Sequence, residues 1–496
     1  MMEWLRKHPI AAFLPLQALL CFWNLGLLSP WMDEAITLLV VRLPVRQILS
    51  NASRDVHPPV YYLLVDAWQR LPLGLDWGVQ ARALSVIFAL AATVAADRLW
   101  ASRLSERGRI WFLALWTLSP CLLLYARMCR SYSLQLLVAT VAAAYILRFT
   151  ENKSWKTGAG LTVWLTAGLY THYVPGLALL ATANLALLRK RRFRDALGID
   201  ALVALAYLPW MGNLAAALGS WGTRTGTYMV TGAVLTEVPV KLAFWAVSFV
   251  MGEAVPDAVL VAGGVVLPLA GALALSGARR DRALLWIAAP AAAIGFIGVA
   301  RWVSYPFIPA RMLFVFPFLL LLFVKGAMAH RRAGALAVTA MLALSVSGVW
   351  CYFHKTGFRN KEYAVPIQEI AAHIRQSSTA ADSLILVDSA NSDPAAMEYA
   401  LSPSRPFLET GNPAAAPAVA RLLAEPQIRT IWFLRSTHDI SAARLNEGLE
   451  RQLRAAMAVT VYPYEAFTPL EIRLMRAMGM RDPPAWSHEL LEFRRR

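Results

Sequence analysis

The sequence predicts a polytopic α-helical membrane protein of about 11–13 spans followed by a soluble α/β domain, and three observations carry that prediction. Of 496 residues, 58% are hydrophobic and only 16% charged, with a mean hydropathy of +0.48; soluble domains sit at roughly 45–50% and 25%. Apolar stretches of bilayer length recur up to residue 353 and then stop. The charge divides at the same place: residues up to 353 carry 31 Lys and Arg against 15 Asp and Glu, whereas residues 354–496 carry 17 against 16. A water-soluble single-core enzyme and a disordered chain are excluded. So is a disulfide-stapled one, since Cys21, Cys121, Cys129 and Cys351 lie in apolar stretches without disulfide or metal spacing.

A span needs about 20 mostly apolar residues. Eleven segments qualify, near residues 10–28, 79–97, 110–126, 132–149, 157–171, 174–188, 196–214, 257–276, 284–301, 310–327 and 334–353. The first follows Arg6 and Lys7 and lacks a small-residue cleavage site, which marks a retained span rather than a signal peptide. The basic stretches 98–109, 148–156, 189–194, 279–282 and 325–332 belong on the cytoplasmic side by the positive-inside rule. That places residues 29–78, 127–131, 172–173, 213–256, 302–309 and everything after about 353 on the outer face. Two shorter apolar stretches, 59–71 and 237–252, carry internal charges and are assigned as interfacial or re-entrant. They add two spans if they cross as a pair. The net charge of +17 therefore suits membrane topology and anionic head groups, not nucleic acid.

The domain boundaries follow: 1–353 forms the transmembrane domain, with a first outer loop at 29–78, and 354–496 a soluble domain of ordinary size. In the latter, an amphipathic helix (362–375) precedes an apolar run ending in an acid (384–388). A second run (429–434), a helical stretch (441–457) and a third run (459–464) follow. Strand-like runs alternating with helices indicate an α/β layer. No Gly-rich phosphate loop follows any of them, so no nucleotide site is expected.

Ionisable residues at a membrane surface cost free energy unless they act, and the first outer loop is dense in them. Asp33 and Glu34 come just after the first span, where a partly desolvated carboxylate makes a usable general base; the plainer alternative is an acidic pair at the start of the next short helix. Asp55 and His57 precede Pro58 and Pro59, which forbid helix around them. They share a divalent cation, orient a hydroxyl, or form a simple hydrogen-bonded pair; the spacing is not diagnostic of metal.

The Trp31-Met32-Asp33-Glu34-Ala35 start and the run from Asp55 through His57, Pro58, Pro59, Tyr61 and Tyr62 resemble the membrane glycosyltransferases of the GT-C fold. The likeness is to the bacterial branch related to protein O-mannosyltransferases and the lipid A aminoarabinose transferase. The stretch Tyr125-Ala126-Arg127-Met128-Cys129-Arg130-Ser131-Tyr132 and the stretch Tyr170-Thr171-His172-Tyr173 match as well. The likeness covers about the first 190 residues by motif and the rest by layout.

The resemblance implies inverting transfer of a sugar from a polyprenyl-phosphate donor to a lipid, glycan or protein acceptor, with membrane lipids as surroundings. The reaction would run at the outer face of a bacterial cytoplasmic membrane. Asp33 would be the base, with Glu34 in support. Cations near the outer interface would hold the phosphate. Arg127 and Arg130 are three apart and close to one helix face, and guanidinium grips phosphate with two parallel bonds; snorkelling at the membrane edge is the plainer alternative. Arg311, between Pro309 and the apolar run from Met312, is a third cation that would reach the same face. One divalent metal held by Asp55, His57 and His172 is a testable expectation. Tyr61, Tyr62, Tyr132 and Tyr173 read as interface-belt aromatics first and substrate contacts second.

A transporter or lipid flippase would also have many spans, but it should place charges near mid-bilayer, often in two repeated halves. Here the charges gather at the outer edge and no repeat is visible. A membrane-anchored scaffold acting through its soluble domain leaves the acidic first loop unexplained.

Overall fold

The computed structural model describes residues 7–54, 57–224, 234–302, 308–388, 393–401, 407–410, 417, 419–420, 427–437, 440–477, 480 and 482–495. The chain divides into two units: residues 1–25 with 40–357, and residues 26–39 with 358–496.

The first unit is a helical bundle. Its elements are α1 (Ile10–Phe22), then, after α2 (Met32–Val40), which belongs almost wholly to the second unit, α3 (Val45–Arg54), α4 (Val60–Gln69), α5 (Trp77–Leu99), α6 (Glu106–Thr117), α7 (Pro120–Ala126), α8 (Tyr132–Glu151), α9 (Trp155–Thr171), α10 (Tyr173–Arg189), α11 (Phe193–Arg224), α12 (Val234–Met251), α13 (Asp257–Arg280), α14 (Arg282–Trp302), a 3-10 turn (Pro309–Val315), α15 (Phe316–Ala329) and α16 (Arg331–Phe353). Local chemistry sets the starts. Asp76 caps α5 by accepting the Gly78 and Val79 N–H groups, Ser105 caps α6, and Ser154 with Thr157 forms a capping box on α9.

Each of the eleven segments of the sequence reading overlaps a helix, but 10–28 outruns α1 beyond Phe22, 110–126 is divided between α6 and α7, and 310–327 begins in the 3-10 turn. Among the described residues, seven helices are long and apolar enough to cross a membrane alone, and an eighth is formed if the α6–α7 pair, bent by 50°, counts as one span. α1, α10 and the Val238–Met251 part of α12 are apolar but shorter. Among the described residues, helices of full spanning length are thus fewer than eleven. Region 59–71 holds only the ten-residue α4, too short to cross. Region 237–252 lies on α12 up to Met251, with Pro239 inside the helix.

Close backbone contact replaces hydrophobic driving force between such helices. A Cβ on Gly277 of α13 would lie 1.9 Å from the Leu322 carbonyl oxygen, and one on Gly326 of α15 would lie 1.8 Å from that of Leu273.

In the second unit, α17 (Ile367–Ser377), β1 (Ser383–Val387), α18 (Asp393–Leu401), β2 (Leu408–Glu409), β3 (Thr430–Ser436), α19 (Ile440–Ala456), β4 (Met457–Ala466), α20 (Pro469–Ala477) and β5 (Trp486–Arg495) build a five-stranded sheet of order β2-β1-β3-β5-β4. β2, β1 and β3 run parallel, and β5 runs antiparallel to β3 and β4. One face packs Ile385, Val387, Trp432, Leu434 and Leu490 against α17 and α18; the other packs Leu386, Phe433, Leu491 and Phe493 against α19. The 362–375 helix begins later than its charge pattern suggests, at Ile367, because Pro366 sits at its start.

Candidate functional site

The acidic pair lies in the second unit, on α2. Both carboxylates occupy its first turn, where the helix dipole favours negative charge, and the Thr37 hydroxyl donates back to the Asp33 carbonyl at 2.9 Å. Ala35 is fully buried in the same cluster as Val365, Ile370 and Ile385. Trp31 meets Tyr363 edge-on at 5.0 Å, and the Gln368 N–H donates to the Ser29 hydroxyl at 3.3 Å. Asp33 is 8% exposed and Glu34 1%. Residues 26–39 are thus built into the fold of the C-terminal residues rather than forming a free loop of the membrane part.

The arginine turn lies in the first unit, between α7 and α8. Its two cations have different fates. The Arg127 guanidinium donates to the carbonyls of Leu20, Cys21, Trp23 and Asn24, and its Nε donates to the Tyr352 hydroxyl at 2.8 Å. It terminates α1 by satisfying carbonyls that have no partner within the helix. Expected to hold the donor phosphate, Arg127 instead directs these donors at four backbone carbonyls and one phenol. Arg130, three residues on, is 4% exposed and lies 3.0 Å from His57 Nε2. Its carbonyl accepts from the Ser85 hydroxyl at 3.3 Å, and Ser85 lies 2.7 Å from the Tyr61 hydroxyl. Arg311 is buried in the 3-10 turn.

The histidines test the metal expectation. His57 and His172 meet edge-on with ring centroids 5.3 Å apart. A guanidinium has no acceptor, so Arg130 must donate to a lone pair on His57 Nε2. His172 Nδ1 accepts the Val174 N–H at 3.3 Å as the cap of α10. A neutral imidazole has one lone pair, and in both rings it is committed. These two residues therefore do not fit a metal ion, and no group of three His, Cys, Asp or Glu side chains suited to one occurs among the described residues. Asp55 lies outside the described residues.

The four tyrosines are not an interface belt. Tyr61, Tyr62, Tyr132 and Tyr173 are all buried. Tyr132 meets Tyr125 edge-on at 5.5 Å, and the Tyr173 hydroxyl accepts from Trp210 Nε1 at 2.9 Å. Tyr61, Tyr132 and Tyr173 thereby link neighbouring helices.

One ionisable group at this end of the bundle escaped the sequence reading. Glu253 lies in the turn between α12 and α13, just after Gly252, whose φ of +82° needs a glycine. It is 1% exposed. Its Oε1 accepts from the Tyr125 hydroxyl and, at 2.9 Å, from the Ser248 hydroxyl. Burial pushes its pKa up to about 7, against the pull of those two hydroxyls. A lone acid between two apolar helices was the available signal.

No protein-family model and no curated protein matches the chain. Solved structures that share its fold include ArnT from Cupriavidus metallidurans in the apo state, with a TM-score of 0.56 and 13% identity over 98% of each chain, and the same organism's ArnT bound to undecaprenyl phosphate, with a TM-score of 0.55 at the same identity and coverage. The chain therefore has a polytopic GT-C architecture with a small C-terminal sheet.

Proposed function

We propose that this chain is an inverting glycosyltransferase that moves a sugar from a polyprenyl-phosphate donor to a lipid, glycan or protein acceptor at the outer face of a bacterial cytoplasmic membrane. The observation that carries the proposal is the shared fold over 98% of both chains with a transferase structure holding undecaprenyl phosphate. The buried ionisable groups at the matching motifs support it.

Asp33 takes the proton of the acceptor hydroxyl as that oxygen attacks the anomeric carbon, and Glu34 supports it. The lipid phosphate leaves with the electron pair of the broken glycosidic bond, and its negative charge is stabilised by Arg130 and Arg311. A single displacement inverts the anomeric carbon and needs one base, in contrast to the carboxylate pair of a hydrolase. No nucleotide takes part, and no step runs through a metal.

Purified protein in lipid, given a polyprenyl-phosphate sugar and envelope lipids as acceptors, tests this directly. Comparing envelope glycans and lipids by mass spectrometry with and without the gene identifies the sugar and the acceptor. An unchanged envelope, together with no loss of sugar from the donor in vitro, would overturn the proposal.

A further inference from the structure

Glu253 is a buried acid with half of its carboxyl unused. Oε1 holds two hydroxyls, while Oε2 is buried with no hydrogen-bond partner among the described residues. An unsatisfied buried oxygen is costly, more so when charged, so the group persists for what Oε1 does. One of the two hydroxyls it holds belongs to Tyr125, in the last turn of α7. The Tyr125 carbonyl accepts the Met128 N–H at 3.4 Å, and the Arg130 N–H closes onto the Met128 carbonyl at 2.8 Å. Other anchors of this turn include Arg127 on the end of α1, the Ser85 hydroxyl on the Arg130 carbonyl and the Tyr61 hydroxyl on Cys129 Sγ. Tyr125 anchors it to the turn between α12 and α13.

We propose that Glu253 is a positioning residue: by clamping the Tyr125 hydroxyl it fixes the turn from which Arg130 meets the anionic phosphate of an isoprenoid lipid. The inference rests on the transferase reading for the identity of that phosphate. The titratable groups facing the carboxyl are Tyr125 and Cys121, both from α7; Ser248 of α12 bridges to Cys121 at 3.5 Å. With burial raising the carboxyl pKa to about 7, the clamp changes charge near neutrality. The carboxylate holds both hydroxyls through charge-assisted bonds, and the acid holds them less tightly.

The test uses the full chain in lipid nanodiscs, with undecaprenyl phosphate binding followed by native mass spectrometry on both sides of neutral pH. E253A and Y125F each remove the clamp and should weaken binding about ten-fold, the worth of one hydrogen bond to a charged group. E253Q keeps an acceptor for both hydroxyls, so it should restore binding to within a few-fold while abolishing the pH dependence. Unchanged binding in both E253A and Y125F overturns the proposal, as does an unaltered pH profile in E253Q. If the wild-type chain does not bind undecaprenyl phosphate, the transferase reading fails, and the clamp is then judged by infrared spectroscopy without ligand. A protonated-carboxyl band that titrates near neutrality, vanishes in E253Q and shifts in Y125F supports the clamp; a band indifferent to Y125F overturns it.

Discussion

The two ends of the helical bundle treat charge differently. At the basic-loop end, cations meet carboxylates: Asp97 takes two bonds from Arg109 at 2.7 and 2.6 Å, Asp195 pairs with Lys153 and Arg192, and Asp281 pairs with Lys325 at 2.8 Å. At the other end, the recorded partners are of another kind. Arg127 holds carbonyls, Arg130 meets an imidazole, and Glu253 holds two hydroxyls. Ion pairs that neutralise each other stabilise loops and ask nothing of a ligand. Buried charges set among neutral dipoles keep their field for something else. The difference separates charges that neutralise one another from buried charges that do not, and among the latter Arg127 serves the fold while Arg130 is left to a ligand.

The largest effect is expected at Asp33, in the second unit. Replacing it with Asn should lower sugar transfer by about 10²–10⁴-fold, the usual worth of a general base, with little change in thermal unfolding, since Asn preserves the shape of the first turn of α2. Transfer near the wild-type rate would remove Asp33 from the role of base.

Arg127 and Arg130 sharpen the comparison within one turn of chain. Arg127→Ala leaves the carbonyls of Leu20, Cys21, Trp23 and Asn24 without this partner, so stability should fall by about 3–5 kcal/mol, visible as loss of folded protein in detergent. Arg130→Ala should keep the fold and weaken undecaprenyl phosphate binding roughly ten- to a hundred-fold. Equal effects of the two changes on binding, with no loss of fold in Arg127→Ala, would erase the distinction.

That distinction was only half legible in the sequence. Hydropathy located the helices because burial in lipid demands continuous apolar runs, and the arginines stood out as a pair. What divides them is at residues 20–24, about a hundred positions away, and no local pattern reports it. α2 was likewise recognised as acidic, but its membership of the second unit depends on Ala35 packing with Ile370 and Ile385, a contact of long sequence separation. β5 was missed because its charged residues mask the buried Leu490, Leu491 and Phe493. Glu253 was missed because a single acid in an apolar stretch carries no spacing.

Glu253 also predicts a pH dependence of stability. Its folded pKa of about 7 lies above the ordinary 4.5, so the folded state holds a proton that the unfolded chain releases. Its contribution is fully present below about pH 4.5 and is lost as pH rises through 7. The difference amounts to about 3 kcal/mol, and thermal unfolding of E253Q against wild type across that window measures it. At the basic-loop end the sign reverses. Burial raises the Asp281 pKa, but the Lys325 ammonium and the amides of Leu284 and Ala283 outweigh it and hold it below the usual value. Its contribution is therefore lost as pH falls. The pair is partly exposed, so Lys325→Ala should cost under about 1 kcal/mol; a larger loss would mean that basic-end pairs do more than neutralise loops.

The smallest expected effect falls on the motif that most resembles a metal site. His57 spends its lone pair on Arg130, and His172 spends its own on the Val174 amide. A cation at His57 would displace a guanidinium 3.0 Å away and meet its positive charge. Chelation should therefore leave sugar transfer unchanged, whereas His57→Ala, which removes the imidazole that Arg130 leans on, should weaken donor binding. Loss of transfer on chelation, restored by a divalent cation, would show that these rings turn to expose their lone pairs, and would move His57 from orienting the arginine to holding a metal.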